Sequence, residues 1–280
     1  MPIALNELIN NIVRGDDGVW RTITSATVSY PDEGHDTCHG VEDGSFWFAH
    51  RNRCIAAAIR HSPPDRGLPF VDVGGGNGFV GAMVQQLGYR VVLMEPGASG
   101  ITHARERGLQ ELVQASIIDL DIAPGQIGAI GLFDVLEHIE HDADALYSLR
   151  RMLAAGGKIY ATVPAHRWLW SSADTSAGHF RRYTTSQLRT LFSGCGFDVD
   201  LCSYYFWPLP LPMFLARCLP ERLGFTMASG SREARVNSEH RHEGRLLARL
   251  LSREERAFSR GNTVWFGASC ILTATKRADT

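Results

Sequence analysis

The sequence predicts an α/β fold, a mostly parallel sheet with helices on both faces. Three observations predict it. Short apolar runs recur from Leu68 onward, with stretches of helical periodicity between them. Glycines close several of those stretches, as they do where helices stop. The chain, with 280 residues and 44% hydrophobic content, can also bury a sheet on both sides. Strands separated by helices of this length need crossovers, which make neighbouring strands parallel.

Residues 1–65 read as an N-terminal helical and loop cap. A weakly helical start is followed by a Gly/Asp-rich loop around Asp32 to Gly44. Ser45-Phe46-Trp47-Phe48-Ala49-His50-Arg51-Asn52-Arg53 then enters an alanine-rich helix ending near Ile59, broken by Ser62-Pro63-Pro64. Phe70 to Val73 is a strand. Asn77 to Leu87 fits a helix, stopped by Gly88. Arg90 to Met94 is the second strand and ends at Glu95-Pro96; Ile101 to Arg107 is helical, stopped at Gly108. Leu112 to Ala115 and Ile127 to Leu132 are the next strands. Ala143 to Leu153 is a helix before Gly156-Gly157, and Lys158 to Val163 the fifth strand, closed by Pro164. Thr185 to Ser193 is a helix entered through Thr184, leading to a strand from Phe197 to Tyr204. The last strand is Ala268 to Thr275.

Residues 66–204 and 267–280 thus form the core, and 205–266 an insertion before its final strand. From Glu239 to Phe258 the insertion is arginine-rich, with Leu246, Leu247, Leu250 and Leu251 at helical spacing. It reads as a surface helix with a solvated charged face, or as a lid or dimerisation element.

A formal net charge of -2 gives no general attraction to nucleic acid or to an anionic membrane. The six cysteines form no C-x-x-C pair and read as reduced thiols of a reducing, cytoplasmic compartment. No basic region followed by an apolar run opens the sequence, so no secretory signal is expected. The greasiest stretch, Tyr204 to Phe225, is interrupted by Pro208, Pro210, Pro212 and Pro220 and excludes a spanning helix, leaving at most peripheral membrane contact. His35, Cys38 and His39 cluster without a fourth ligand at a persuasive spacing, so no metal is expected.

Val71-Asp72-Val73-Gly74-Gly75-Gly76-Asn77-Gly78 runs from a strand into a glycine-rich turn and a helix. Glycines let such a turn approach a ligand, and the helix N-terminus offers unpaired N–H groups. Glu95, at the end of the next strand, stands where an acid holds both hydroxyls of a ribose. A literal G-x-G-x-x-G occurs at Gly76 to Gly81, but counted from Gly74, the first glycine after the strand, the sixth position is Phe79. That register argues against a dinucleotide. Asp72 suits ordering the turn or meeting an ammonium better than it suits a pyrophosphate.

The segment resembles motif I of the class I S-adenosylmethionine-dependent methyltransferases, a strand followed by D-x-G-x-G-x-G. Downstream, Phe133-Asp134-Val135-Leu136-Glu137-His138-Ile139 is similar to their D-V-L-E-H-I segment. Arg150 to Lys158 resembles their R-x-L-x-P-G-G turn, with Ala155 where proline is usual. The resemblance implies a Rossmann-like, seven-stranded, mostly parallel sheet with an antiparallel last strand. It implies S-adenosylmethionine as cofactor and S-adenosylhomocysteine as product. Asp72, Gly74, Gly76 and Gly78 would surround the methionine part, Glu95 the ribose, and Ser116 and Ile117 the adenine, with serine where an acid is common. Phe133 and Asp134 would line the pocket near the sulfonium. Trp47 and Arg51 resemble an F-W-F-x-x-R-N segment of a bacterial subgroup and would close over the methionine carboxylate; core packing is the other reading of Trp47.

The same subgroup has an L-W-S-x-H-D…G-H-x-R-R-Y-T signature, resembled here from Leu169 to Thr184 with Ala173 replacing its histidine. Loops at the carboxyl ends of parallel strands bind ligands. His166, Trp170, Asp174, Arg181, Arg182 and Tyr183 are therefore candidates for acceptor binding. The two arginines suit a carboxylate or phosphate, or serve as structural ion pairs. His138 and His179 are the candidate general bases, since imidazole titrates near neutrality; bracing their loops is the other reading of each. The function expected is methyl transfer to an oxygen or nitrogen of a small molecule, anionic or lipid- or sugar-linked, by a monomer or homodimer. A nicotinamide-dependent oxidoreductase is the second reading, but no tyrosine has a lysine four residues on. A non-catalytic cofactor-binding protein is the third.

Overall fold

The computed structural model describes residues 4–23, 40, 42–224 and 245–278. The His35, Cys38 and His39 cluster and residues 225–244 of the insertion lie outside the described residues. Among the described residues nine strands form one sheet, where seven were expected. They are β1 (Ile12–Arg14), β2 (Trp20–Thr22), β3 (Phe70–Val73), β4 (Val91–Met94), β5 (Glu111–Gln114), β6 (Ile127–Phe133), β7 (Leu153–Pro164), β8 (Phe197–Tyr205) and β9 (Ser269–Lys276). Their order is β1-β2-β5-β4-β3-β6-β7-β9-β8. Strands β3 to β7 run parallel, and β9 inserts antiparallel between β7 and β8.

The two additional strands correct the reading of residues 1–65 as helix and loop alone. β1 and β2 form a hairpin, and β2 extends the sheet beside β5, pairing Trp20 with Val113. Each is only three residues long and partly exposed, so neither carries the alternation that marks a strand in sequence. The Asp17 carboxylate shapes the turn, accepting from the Val19 N–H at 3.1 Å and from Arg21 at 2.9 and 2.7 Å.

The central strands explain their own composition. β3, β4 and β6 are buried at each residue, as strands covered on both faces must be. Alternate side chains feed two apolar clusters. Val71, Val73, Ile130 and Leu132 join one with Leu146 and Leu149 of helix α4 (Asp142–Met152) and Leu188 and Phe192 of α5 (Thr185–Gly194). Phe70, Leu93 and Phe133 join the other. There they meet Ile55 of α1 (Phe46–His61), Val84 of α2 (Phe79–Gln86), Ile101 of α3 (Ala98–Glu106) and Leu251 of α6 (Arg245–Phe258). The described end of the insertion is therefore part of the second layer. Glu254 anchors it: buried at 1% exposure, it accepts from the Phe206 and Trp207 N–H groups at 2.9 and 2.7 Å and meets His50 Nε2 at 2.6 Å. Among the described residues no helix is long and apolar enough to cross a membrane.

Candidate active site

The carboxyl ends of β3 to β7 open onto a cavity of about 1400 Å³, bounded by α1 on one side and the loop after β7 on another. The backbone is bent hard along this rim. Among the described residues three non-glycine residues take positive φ, Asp134 (58°), His166 (59°) and Phe206 (60°), each within two residues of the end of β6, β7 or β8. Such conformations persist where the surroundings over-determine them, and they cluster at functional sites.

The glycine turn forms one wall. Gly74 and Gly78 have φ of 62° and 75°, a region that L side chains rarely adopt. Their neighbours differ. A Cβ on Gly78 would meet Ala104 Cα at 2.9 Å, so this glycine lets α2 and α3 close together and does not line the cavity. Gly74, Gly75, Gly76 and Asn77 do line it. Glu95 clamps the turn, accepting from the Gly76 N–H at 2.9 Å and the Gly97 N–H at 2.8 Å. It is only 4% exposed and also faces the cavity.

Asp72 lies beneath the same turn. Its carboxylate is buried, and neither oxygen has a hydrogen-bond partner among the described residues. Burial, opposed by the Arg51 charge and reinforced by the Glu95 charge, pushes its pKa up to about 7. Across the cavity Asp134 receives Arg51 Nη1 at 2.5 Å and Thr162 Oγ1 at 3.1 Å. The Arg51 guanidinium also rests 5.0 Å from the Phe48 ring centre. Trp47 stacks on Phe206 with centroids 3.8 Å apart, so it packs and lines the cavity at once. Ser116, Ile117 and Phe133 complete this half.

The other half centres on two histidines. The His138 and His179 rings meet edge to face at 4.7 Å, and both line the cavity. Burial first, then the neighbouring His179, lowers the His138 pKa to about 4, against the pull of Asp134. His138 is therefore neutral at neutral pH. His179 Nδ1 lies 3.0 Å from Asp174 Oδ1. Asp174, 1% exposed, is gripped by Arg182 through Nε at 2.7 Å and Nη2 at 3.0 Å. Those contacts hold its carboxyl well below the usual carboxylate range despite burial.

Of the residues expected to bind the acceptor, none but this support network reaches the cavity, and it does so only through His179. Arg182 is occupied by Asp174 and the Ala165 carbonyl. Arg181 holds Asp142 at 3.0 Å and the Glu140 carbonyl. Tyr183 donates to Asp142 at 2.9 Å. Trp170 donates to Thr175 Oγ1 at 3.3 Å, and His166 stacks on Tyr204. These side chains brace the loop that presents His179. Its amide neighbour Phe180 donates to the Glu137 carbonyl at 2.8 Å, fastening that loop to the segment after β6.

Sequence reasoning missed Phe48, Thr162 and Glu137. Phe48 and Glu137 sit inside motifs whose neighbours were singled out, and a period-based reading treats both as filler. Thr162 is an interior position of β7, recognisable only once its register beside Phe133 is known.

The residues fit a nucleoside-bearing sulfonium cofactor. Glu95 offers a carboxylate for hydroxyls, Ile117 apolar surface for a base, Phe133 apolar surface beside the sulfonium, and Arg51 and Asp134 charges of both signs for an amino acid moiety. The volume exceeds what one drug-sized ligand needs, leaving space for a second reactant.

A model of the methyltransferase-domain family matches residues 47–201. A probable S-adenosylmethionine-dependent methyltransferase of Mycolicibacterium smegmatis is 21% identical over 173 residues, 61% of this chain. The match spans 66% of that relative's length. Phosphoethanolamine N-methyltransferase 2 of Haemonchus contortus, solved with S-adenosyl-L-methionine, superposes with a TM-score of 0.57 at 16% identity, over 92% of this chain and 62% of that one. The cyclase SpnF superposes with a TM-score of 0.59 at 16% identity, over 91% of this chain and 100% of that one. At these identities the likeness shows the fold alone, and chains with different chemistries share it.

Proposed function

The chain belongs to the methyltransferase-domain family, and on that premise we propose that it is a cytoplasmic S-adenosylmethionine-dependent enzyme methylating an oxygen or nitrogen of a small molecule. The observation that carries this reading is one cavity with two unlike halves: Glu95 and the glycine turn on one side, the His138–His179 pair on the other.

Bound there, S-adenosylmethionine supplies an electrophilic methyl carbon on a sulfonium. The chain's own residues align the partners and keep water out, which is most of what an in-line displacement asks of a protein. Glu95 takes the ribose hydroxyls, while Ser116 and Ile117 border the base. Arg51 and Asp134 flank the methionine end. His179, held in one orientation by Asp174, faces the acceptor and receives its proton. The engagement of Arg181 and Arg182 in ion pairs removes their support for an anionic acceptor.

Calorimetry with S-adenosylhomocysteine and with NADH tests this. The expected result is binding of the first and none of the second; NADH binding alone overturns the reading in favour of the oxidoreductase. Glu95→Ala should weaken S-adenosylhomocysteine by about 10-fold or more, the loss of a charge-assisted pair of hydrogen bonds. His179→Ala should lower turnover far more than it lowers cofactor affinity, and equal losses in both would remove His179 from the acceptor side.

A further inference from the structure

We propose that Glu137, His138 and His179 form a binding site for one divalent transition-metal ion, whose open positions face the acceptor half of the cavity. The inference deepens the proposed function and rests on it for the acceptor's role, though not for the ion itself.

One nitrogen from each histidine and one Glu137 oxygen lie within 4.8 Å of one another. Tetrahedral ligands about 2.1 Å from a common ion stand about 3.4 Å from one another, so side-chain rotation that contracts the cluster by up to about 1.4 Å lets the three meet one ion. Two further observations point to an ion. Glu137 is 1% exposed, lines the cavity, and its Oε2 has no hydrogen-bond partner among the described residues. A buried carboxylate oxygen left so is costly without a cation. His179 gives Nδ1 to Asp174 at 3.0 Å, which leaves Nε2 as the outward nitrogen. A carboxylate behind a histidine is the arrangement that orients a metal-ligating imidazole. Here Arg182 fixes that carboxylate in turn.

Two imidazoles and one carboxylate suit manganese, iron(II), cobalt, nickel or zinc better than magnesium or calcium. With three protein ligands, positions remain for a small molecule. With the ion bound, His179 Nε2 is a ligand and no longer the proton acceptor: an acceptor hydroxyl ligated there gives its proton to solvent more readily, and its oxygen then takes the methyl group as the C–S bond of the sulfonium breaks. This also supplies the positive handle that Arg181 and Arg182 do not. A second cluster, His50, Cys54 and Glu254, has comparable spacing but is wholly buried, and both Glu254 oxygens already accept backbone N–H groups. Sequence spacing pointed to no metal because His179 reaches Glu137 and His138 only through the loop that follows β7.

The test is titration of the full chain with Mn²⁺, followed by loss of the free-ion electron paramagnetic resonance signal, and with Co²⁺, followed by its visible spectrum. The expected result is one ion per chain, with affinity at least 10-fold weaker in Glu137→Gln and in His179→Ala. S-adenosylhomocysteine affinity should stay within about twofold in Glu137→Gln. Glutamine keeps the shape of Glu137 without an ionisable group, so that variant should melt no lower than the parent while losing the rise in Tm that Co²⁺ gives the parent. No ion bound at millimolar concentration, or equal binding by parent and both variants, overturns the site. S-adenosylhomocysteine binding without metal leaves the methyltransferase reading standing; metal binding without it does the reverse.

Discussion

At the residue scale, Asp72 shows how a site charge is stored in the fold. It sits under the glycine turn with no hydrogen-bond partner among the described residues, and its pKa is raised from 3.8 to about 7. The unfolded chain releases this proton at the ordinary carboxylate value near 4, so between about 4 and 7 the folded state holds a proton that the unfolded state has lost. Stability from this group is full below about pH 4 and is lost as pH rises through 7, by about 4 kcal/mol for the full displacement. Denaturant unfolding of the parent and of Asp72→Asn at pH 5 and pH 8 reads this directly. The parent should lose more stability than the variant between the two pH values. Parallel pH dependences would mean that Asp72 stays ionised and paired in solution. The Arg51–Asp134 contact is the counterpart across the cavity: two charges that meet each other, at 2.5 Å, at a position strained to φ 58°.

At the element scale, what could be read from the sequence depended on range. The Thr184 cap was legible, and the structure shows Thr184 Oγ1 accepting the Gln187 N–H at 3.3 Å at the start of α5. The β1–β2 hairpin was not, because three-residue strands carry no period. Helix α6 was legible as a helix but not as a buried element. Its inward positions are Leu251, Glu254 and Phe258, and a periodic reading scores the middle one as solvated. The partners of Glu254, at His50, Phe206 and Trp207, are far away in sequence. Glu254→Ala would leave two buried N–H groups and a buried imidazole without their acceptor. The expected loss is about 3 kcal/mol, seen as a fall in Tm of about 6–12 °C. Because Phe206 stacks on Trp47 at the cavity wall, S-adenosylhomocysteine should also bind more weakly. An unchanged Tm would show that α6 is held by Leu251 and Phe258 alone.

At the scale of the whole molecule, the cavity exists because strand ends far apart in sequence stop side by side. The half walled by the glycine turn and Glu95 was readable as one place because each part is local: a strand, a turn and a helix start, then an acid at the end of the adjacent strand. Its acceptor half was not, since Asp174, Arg182 and Phe180 act through residues that only the fold makes neighbours. The same geometry makes cofactor binding a whole-molecule event. A ligand held between Glu95 just after β4, the turn after β3 and Asp134 after β6 ties three strands and α1 together, and an unfolded chain offers no such site. At a hundredfold excess over Kd, S-adenosylhomocysteine should add about 2.7 kcal/mol. For a domain of this size that raises Tm by about 5–10 °C. Thermal unfolding with and without the ligand measures it, and Glu95→Ala should abolish most of the rise at the same concentration. A rise that survives in Glu95→Ala would place the ligand elsewhere, away from the end of β4.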